Sequence, residues 1–120
     1  MAKILIVDDA AFMRMMIIEN LKKTGFQEFS EAGNGEEAVT LYEAEKPDLV
    51  LMDITMPVKD GLVALQEIKE MDPAARVVMC SAMGQENMVI EAIKLGAVDF
   101  IVKPFKPERL LQTVKNVLAS

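Results

Sequence analysis

Five short apolar runs, almost unbroken by polar residues, constrain what this chain can fold into more than any other feature. They cover residues 4–7, a more polar 27–32, then 49–52, 77–80 and 98–102. Four of them do not alternate with polar positions. A continuous apolar run of this length suits a strand covered on both faces, the setting of a parallel sheet. The more polar second run suits an edge strand.

The segments between the runs have helical spacing. Met13, Met16, Ile17 and Leu21 recur at three- and four-residue intervals, and Gly25 is placed to end that helix. Asn34 is placed to cap a second helix carrying Ala38, Leu41 and Tyr42, which ends before Pro47. Asp60-Gly61 opens a third through Leu62, Leu65, Ile68 and Lys69, and Asp72-Pro73 closes it. Val89, Ala92 and Ile93 mark a fourth, stopped by Gly96. Pro107 fits the first turn of a fifth, with Leu110, Val114, Val117 and Leu118 as its inner face. Strand and helix therefore alternate five times. This (βα)5 pattern predicts an α/β fold: a doubly wound, five-stranded parallel sheet with five helices on its two faces. The 120 residues fill a single domain, 1–120, with no repeat or linker.

Composition removes several kinds of chemistry. The single cysteine, Cys80, excludes a disulfide framework and a multi-cysteine zinc site, and its place in an apolar strand predicts an inert buried thiol. The chain has no histidine, so it has no histidine base, no Ser-His or Cys-His pair, and cannot itself carry phosphohistidine. Thirteen basic against nineteen acidic residues give a net charge of −6, all of it in residues 1–60. An acidic chain without a basic block predicts no nucleic-acid partner and no anionic-membrane partner. The first apolar run is cut short by Asp8 and Asp9, and no window approaches the roughly 20 apolar residues of a membrane span. The expectation is a soluble, cytoplasmic protein.

Sites in such sheets lie at the carboxyl ends of the strands. The first run ends in Asp8-Asp9, the third in Asp53, the fourth in Ser81 and the fifth in Lys103-Pro104. Three carboxylates, a hydroxyl and an ammonium thus converge on one edge. Packed carboxylates repel one another, and a hard divalent cation with oxygen ligands is the natural compensation. Mg²⁺ fits, since it accepts few protein ligands and keeps waters that a phosphate can displace. Lys103 and Ser81 are then left facing the metal-bound carboxylate, as a receptor for tetrahedral anion oxygens. The constellation reads as a carboxylate that accepts a phosphoryl group.

These residues resemble the response-regulator receiver domains, most closely the stand-alone chemotaxis receivers of the CheY type. The landmarks are Val7-Asp8-Asp9, Met52-Asp53-Ile54-Thr55-Met56-Pro57 followed by Asp60-Gly61, Ser81-Ala82, and Lys103-Pro104-Phe105. Each is weak alone, but four in order at these spacings are specific. The resemblance spans the whole chain and implies the flavodoxin-like strand order 2-1-3-4-5 and a cis Lys103-Pro104 peptide. It implies Asp53 as the phosphorylated residue. Asp9 and Asp53 would touch Mg²⁺ directly, Asp8 largely through water, and Thr55 through its backbone carbonyl. Ser81 and Lys103 would take phosphoryl oxygens, and Phe100 would be the switch aromatic. Two positions depart from many relatives. Phe100 stands where others carry tyrosine, so its switching works by packing alone. Met83 stands where several carry a polar or acidic residue that governs access of the attacking water.

The implied function is that of a single-domain response regulator of two-component signalling in chemotaxis. A sensor histidine kinase would supply the phosphoryl group. The receiver would be an autocatalytic switch, not a turnover enzyme, with no output domain following Ser120. A monomer, it would bind a flagellar motor switch protein or a phosphatase through helix 4, strand 5 and helix 5. Met83, Met88 and Ile90 would form an apolar face there, with Lys94, Lys106 and Arg109 orienting an acidic partner. Plainer readings stand beside these. Asp8-Asp9 could cap the first helix, Asp53 could be a turn residue, Lys103 could be a solvated surface charge, Phe100 could be core, and Tyr42 lies away from the site with no role. Three other functions compete. They are another kind of receiver (a phosphorelay intermediate, or a receiver cut from a longer regulator), a flavodoxin-like flavin binder and an aspartate-nucleophile, Mg²⁺-dependent phosphatase. The flavin binder needs a Ser/Thr/Gly-rich loop where this chain has Asp-Asp-Ala-Ala. The phosphatase usually spaces its two aspartates by one residue and carries a cap domain.

Overall fold

The computed structural model describes residues 2–119. Each apolar run becomes a strand: β1 (Lys3–Val7), β2 (Glu28–Ala32), β3 (Leu49–Asp53), β4 (Val77–Ser81) and β5 (Asp99–Val102). All neighbouring pairs are parallel, in the order β2-β1-β3-β4-β5. The continuous runs follow from that geometry. Alternate residues of each central strand point to opposite faces, and helices cover both. Leu5, Val7, Val50, Met52, Val77 and Met79 face one core layer, while Ile4, Ile6, Leu49, Leu51, Val78 and Cys80 face the other. The edge strand β2 holds one fully buried residue, Ala32, which explains its polar sequence.

The connecting helices are α1 (Ala11–Lys22), α2 (Gly35–Glu45), α3 (Gly61–Met71), α4 (Glu86–Lys94) and α5 (Pro107–Leu118). Two caps fall where the sequence places them: Asn34 accepts from the Glu37 N–H, and Asp60 from the Val63 N–H. Pro107 opens α5, where its missing N–H costs nothing. Helices α1 and α5 cover the layer built on Ile17, Leu21, Leu110, Val114 and Val117. Helices α2, α3 and α4 cover the other, through Ala38, Tyr42, Ala64, Leu65, Ile68 and Ala92.

Some sequence expectations shift. β5 begins at Asp99, and Val98 is exposed. In α1 the buried stripe is Ile17 and Leu21, while Met16 turns outward with Phe12 and Met15. Lys69, a cation in the last turn of α3, reaches forward to the carbonyls of Pro73 and Ala75 in the loop beyond the helix. Of the three residues that mark α4, only Ala92 is fully buried, and Ile93 is exposed. α5, by contrast, buries Leu110, Thr113, Val114 and Val117.

Tyr42 has a structural task. Its ring is buried and its hydroxyl donates to Asp72 Oδ2 at 2.7 Å, joining α2 to the end of α3. Burial, reinforced by the Asp72 carboxylate, pushes the Tyr42 pKa up. The Tyr42 hydroxyl, followed by the Ala74 N–H, holds the Asp72 carboxyl below its usual range. A carboxyl depressed in the folded state stabilises the fold above its unfolded pKa, and that stabilisation is lost as pH falls through the folded value. Tyr42→Phe should therefore lower stability at pH 7. The gap to wild type should narrow below roughly pH 4, where carboxylates protonate. Urea unfolding of both proteins at pH 7 and pH 3 checks this, and a gap that widens in acid would contradict it.

Candidate functional site

Parallel register brings the strand ends level. Val7 pairs with Met52, Asp53 with Cys80, and Ser81 with Val102. Asp8, Asp53, Ser81 and Lys103 therefore leave the sheet along one edge, although β1 and β5 are not neighbours. Asp8 is buried, and its Oδ2 accepts from Lys103 Nζ at 2.6 Å. Its Oδ1 accepts from the Ala10 N–H at 2.9 Å. This last bond closes a turn within the loop; α1, which Ala10 precedes, has no side-chain cap, so the helix-capping alternative is not realised. The same Lys103 ammonium lies 3.5 Å from Asp53 Oδ2. Asp9 is exposed in the β1–α1 loop, yet one oxygen from each of Asp8, Asp9 and Asp53 lies within 4.8 Å of the others.

The electrostatics follow from burial and neighbours. Burial pushes the Asp53 carboxyl above its usual range; the Lys103 charge opposes this and the Asp8 charge adds to it. For Lys103, burial acts against the charge. The hydrogen bond to Asp8 and the charges of Asp53 and Asp8 outweigh that effect, and its pKa rises. Cys80, beneath the site, is fully buried, and desolvation drives its thiol up to about 12, as expected of an inert core cysteine. One ammonium among three carboxylates leaves uncompensated negative charge. A compact set of hard oxygen donors of this kind fits an oxygen-seeking divalent cation such as Mg²⁺.

Backbone contacts that the sequence reading did not pick out fix these groups. A Cβ on Gly61 would lie 2.1 Å from the Asp53 carbonyl oxygen, so only glycine lets α3 start against the end of β3. The Gly61 N–H donates to the Ile54 carbonyl at 2.6 Å. Arg14 Nη1 donates to the Asp8 carbonyl at 2.5 Å, and its Nε donates to Glu31 at 3.0 Å, which ties the acidic loop to the edge strand. Lys103 N–H donates to the Ser81 carbonyl at 2.6 Å. The Lys103–Pro104 peptide is cis. Thr55 is exposed, and its hydroxyl accepts from Gln85 Nε2 at 2.8 Å. Ser81 is buried at the end of β4. Phe100 is half-buried and packs on the core layer under α4. Beside it an apolar groove of about 610 Å³ runs from Ser81 past Met83, Val89, Ile90 and Ile93 to Val102.

Comparison with known proteins gives the family of this α/β domain with its acidic edge and spanning lysine. Residues 4–115 match the model of the response regulator receiver domain. The chemotaxis protein CheY of Bacillus subtilis is 60% identical over 116 residues, covering 97% of each chain. CheY of Thermotoga maritima is 56% identical over 115 residues, 96% of each. Among solved structures, the CheX-CheY-BeF3-Mg complex of Borrelia burgdorferi aligns with a TM-score of 0.93 at 40% identity, over 99% of this chain and 90% of that one. The chain belongs to the response regulator receiver family. Its similarity to CheY proteins makes it a CheY-like regulator of chemotaxis, in a family of phosphoacceptor switches.

The Asp8–Lys103 pair makes a direct prediction. Lys103→Met leaves a carboxylate buried without its cation. It should cost about 2–4 kcal/mol in the metal-free protein, somewhat less than a fully enclosed pair because Lys103 keeps some water contact. Adding Asp8→Asn to that variant should recover most of the loss. Urea unfolding in the presence of a chelator measures both. A double variant no more stable than Lys103→Met would show that the stranded charge is not the cause.

Proposed function

We propose that Asp53 is the phosphoacceptor of a stand-alone chemotaxis receiver, with phosphoryl groups supplied by a sensor histidine kinase. The observation that carries this reading is Asp53 held at the sheet edge between the Asp8–Asp9 pair and the Lys103 ammonium. In the transfer, an Asp53 carboxylate oxygen attacks phosphorus in line. The P–N bond to the kinase imidazole breaks, its electron pair stays on nitrogen, and an acyl phosphate forms. Hydrolysis by water returns the carboxylate and inorganic phosphate. Asp8, Asp9 and Asp53, with the Thr55 carbonyl, would hold Mg²⁺. When bound, the cation neutralises charge on the equatorial phosphoryl oxygens. Lys103 stays protonated throughout, as its raised pKa supports, and pairs with one phosphoryl oxygen. Ser81 donates its hydroxyl to another. Both reactions proceed on the receiver's own residues, which makes it autocatalytic without being a turnover enzyme.

Readout is assigned to α4, β5 and α5. Met83, Met88 and Ile90 are exposed there, and Phe100 lines the adjoining groove. Drawing the Ser81 hydroxyl toward the phosphate moves the loop ahead of α4, and Phe100 repacks into the space released. The partner is a motor switch protein or a phosphatase; the Borrelia burgdorferi complex, which joins CheY to CheX with BeF3 and Mg, supports a protein partner for this class. The sequence-level competitors are not favoured. The comparisons lead to receivers, and Asp8 and Asp9 are adjacent, unlike the aspartates of aspartate-nucleophile phosphatases. The described helices include none long and apolar enough to cross a membrane.

Incubation with a small acyl-phosphate donor and Mg²⁺ should label Asp53, and Asp53→Asn should abolish the label. Peptide mapping decides, and a stable label on Ser81 in the unmutated chain would overturn the assignment.

Phosphorylation should tighten partner binding roughly 5- to 150-fold, the usual span of an allosteric coupling. Met88→Glu or Lys106→Glu should weaken that binding while Asp53 is labelled at the normal rate. Titration calorimetry against the motor switch protein or the phosphatase tests the face. Normal binding by both variants, with loss instead on changing Arg14, would place the contact on α1.

A further inference from the structure

One side chain joins the two loops that flank the phosphoryl site, and no role in the transfer has yet been given to it. Gln85, half-buried at the N-cap of α4, accepts from the Ala82 N–H through Oε1 at 2.6 Å. Its Nε2 donates to Thr55 Oγ1 at 2.8 Å. The amide cannot be turned round, because only its oxygen can accept from a backbone N–H. The Gln85 N–H also donates to the Ala82 carbonyl at 3.3 Å. The loop after β4 is therefore stitched to the start of α4 and, across the site mouth, to the loop that follows Asp53.

The surroundings decide what this bridge can do. At one end of the β4–α4 loop, Ser81 is buried, with its carbonyl held by the Lys103 N–H. At the other, Gly84 has φ +88, and a Cβ there would touch nothing within 4 Å. Between them Ala82 and Met83 are exposed, and Met83 is 82% accessible. Apart from the turn that Gln85 closes, this short loop has a swivel and little packing. The bridge to Thr55 is what restrains it.

We propose that Gln85 is a latch that holds the β4–α4 loop in its resting position, and that phosphoryl capture at Asp53 must release it. This rests on the reading of Asp53 as acceptor and Ser81 as the hydroxyl drawn to it. Moving Ser81 toward a phosphoryl oxygen carries the Ala82 peptide with it. The Ala82 N–H and Thr55 Oγ1 belong to opposite loops, so the amide cannot keep both bonds once the loops shift. The latch stabilises only the resting state. It therefore subtracts from the affinity for phosphate and sets how far the unphosphorylated protein samples the active loop position. Gln85 is thus a positioning residue that acts through Ala82 and Thr55.

The test is calorimetric titration of beryllofluoride at saturating Mg²⁺ into wild type, Gln85→Leu, Thr55→Val and the double variant. Gln85→Leu removes both bonds and leaves an apolar side chain one atom shorter. It should bind the mimic roughly 2- to 13-fold more tightly, the factor set by the net contribution of a hydrogen bond. Mg²⁺ affinity without the mimic should stay within about twofold, since no proposed ligand is removed. Thr55→Val should give a smaller gain, and the double variant should match Gln85→Leu instead of adding to it, because the two changes break the same bond. Unchanged or weaker mimic binding by Gln85→Leu, with wild type binding normally, overturns the latch alone. A wild-type chain that binds no mimic fails at the acceptor and takes the latch with it.

Discussion

The Lys103 ammonium makes the rest of the arrangement possible. A parallel sheet sends every strand toward the same edge, so residues that follow β1, β3 and β4 cannot avoid one another. Here two of the strand ends carry carboxylates, and Asp8 is almost wholly removed from water. A buried carboxylate without a partner is among the more costly features a small domain can carry. Lys103 arrives from the far side of the sheet, beyond β3 and β4, and reaches Asp8 at 2.6 Å. It thereby closes the site over the two central strands. It does not neutralise the edge, and the remaining negative charge is what suits these oxygen donors to a cation.

Precision at that edge comes from backbone more than from side chains. Asp53 is placed by its strand, and α3 begins so close behind that Gly61 has no room for a methyl group. Gly35 shows the same economy: a Cβ there would sit 2.3 Å from the Lys59 carbonyl, which locks α2 against the loop leading into α3. Asp8 is held through its own carbonyl by Arg14. The groups assigned to the reaction therefore sit on fixed supports, while the loop after Ser81 has fewer.

Much of this was legible in the sequence, for identifiable reasons. Continuous apolar runs can persist only where both faces of a strand are covered, so the number of strands and their parallel character follow from patterning. The residue after each run then falls at the carboxyl edge by topology alone, and this is how Asp8, Asp53, Ser81 and Lys103 could be grouped without coordinates. Short amphipathic stripes were read less well. Met16 and Ile93 fit a helical period yet face outward, because a shift of one residue turns a helical side chain by about 100° and changes which side is buried. Gln85 left no trace, since Ala82 offers no side chain that would mark a capping pair. The Tyr42–Asp72 contact spans thirty residues, and no local pattern announces it.

The uneven burial of the helices also divides the molecule by local opening. α4 is nine residues long and rests on the sheet through one fully buried alanine, whereas the twelve residues of α5 are pinned by four buried side chains. Stability in a folded chain is distributed according to such purchase, and segments with few buried apolar contacts open at lower free energy than the global transition. Amide protons of α4 should thus exchange with solvent through small local excursions, while those of α5 and the central strands wait for larger ones. The helix beside the groove that runs from Ser81 to Val102 is the one the core grips least. A tightly packed fold can in this way reserve its slack for a single surface, leaving the chemistry at the sheet edge rigid while the neighbouring face is free to change its mind.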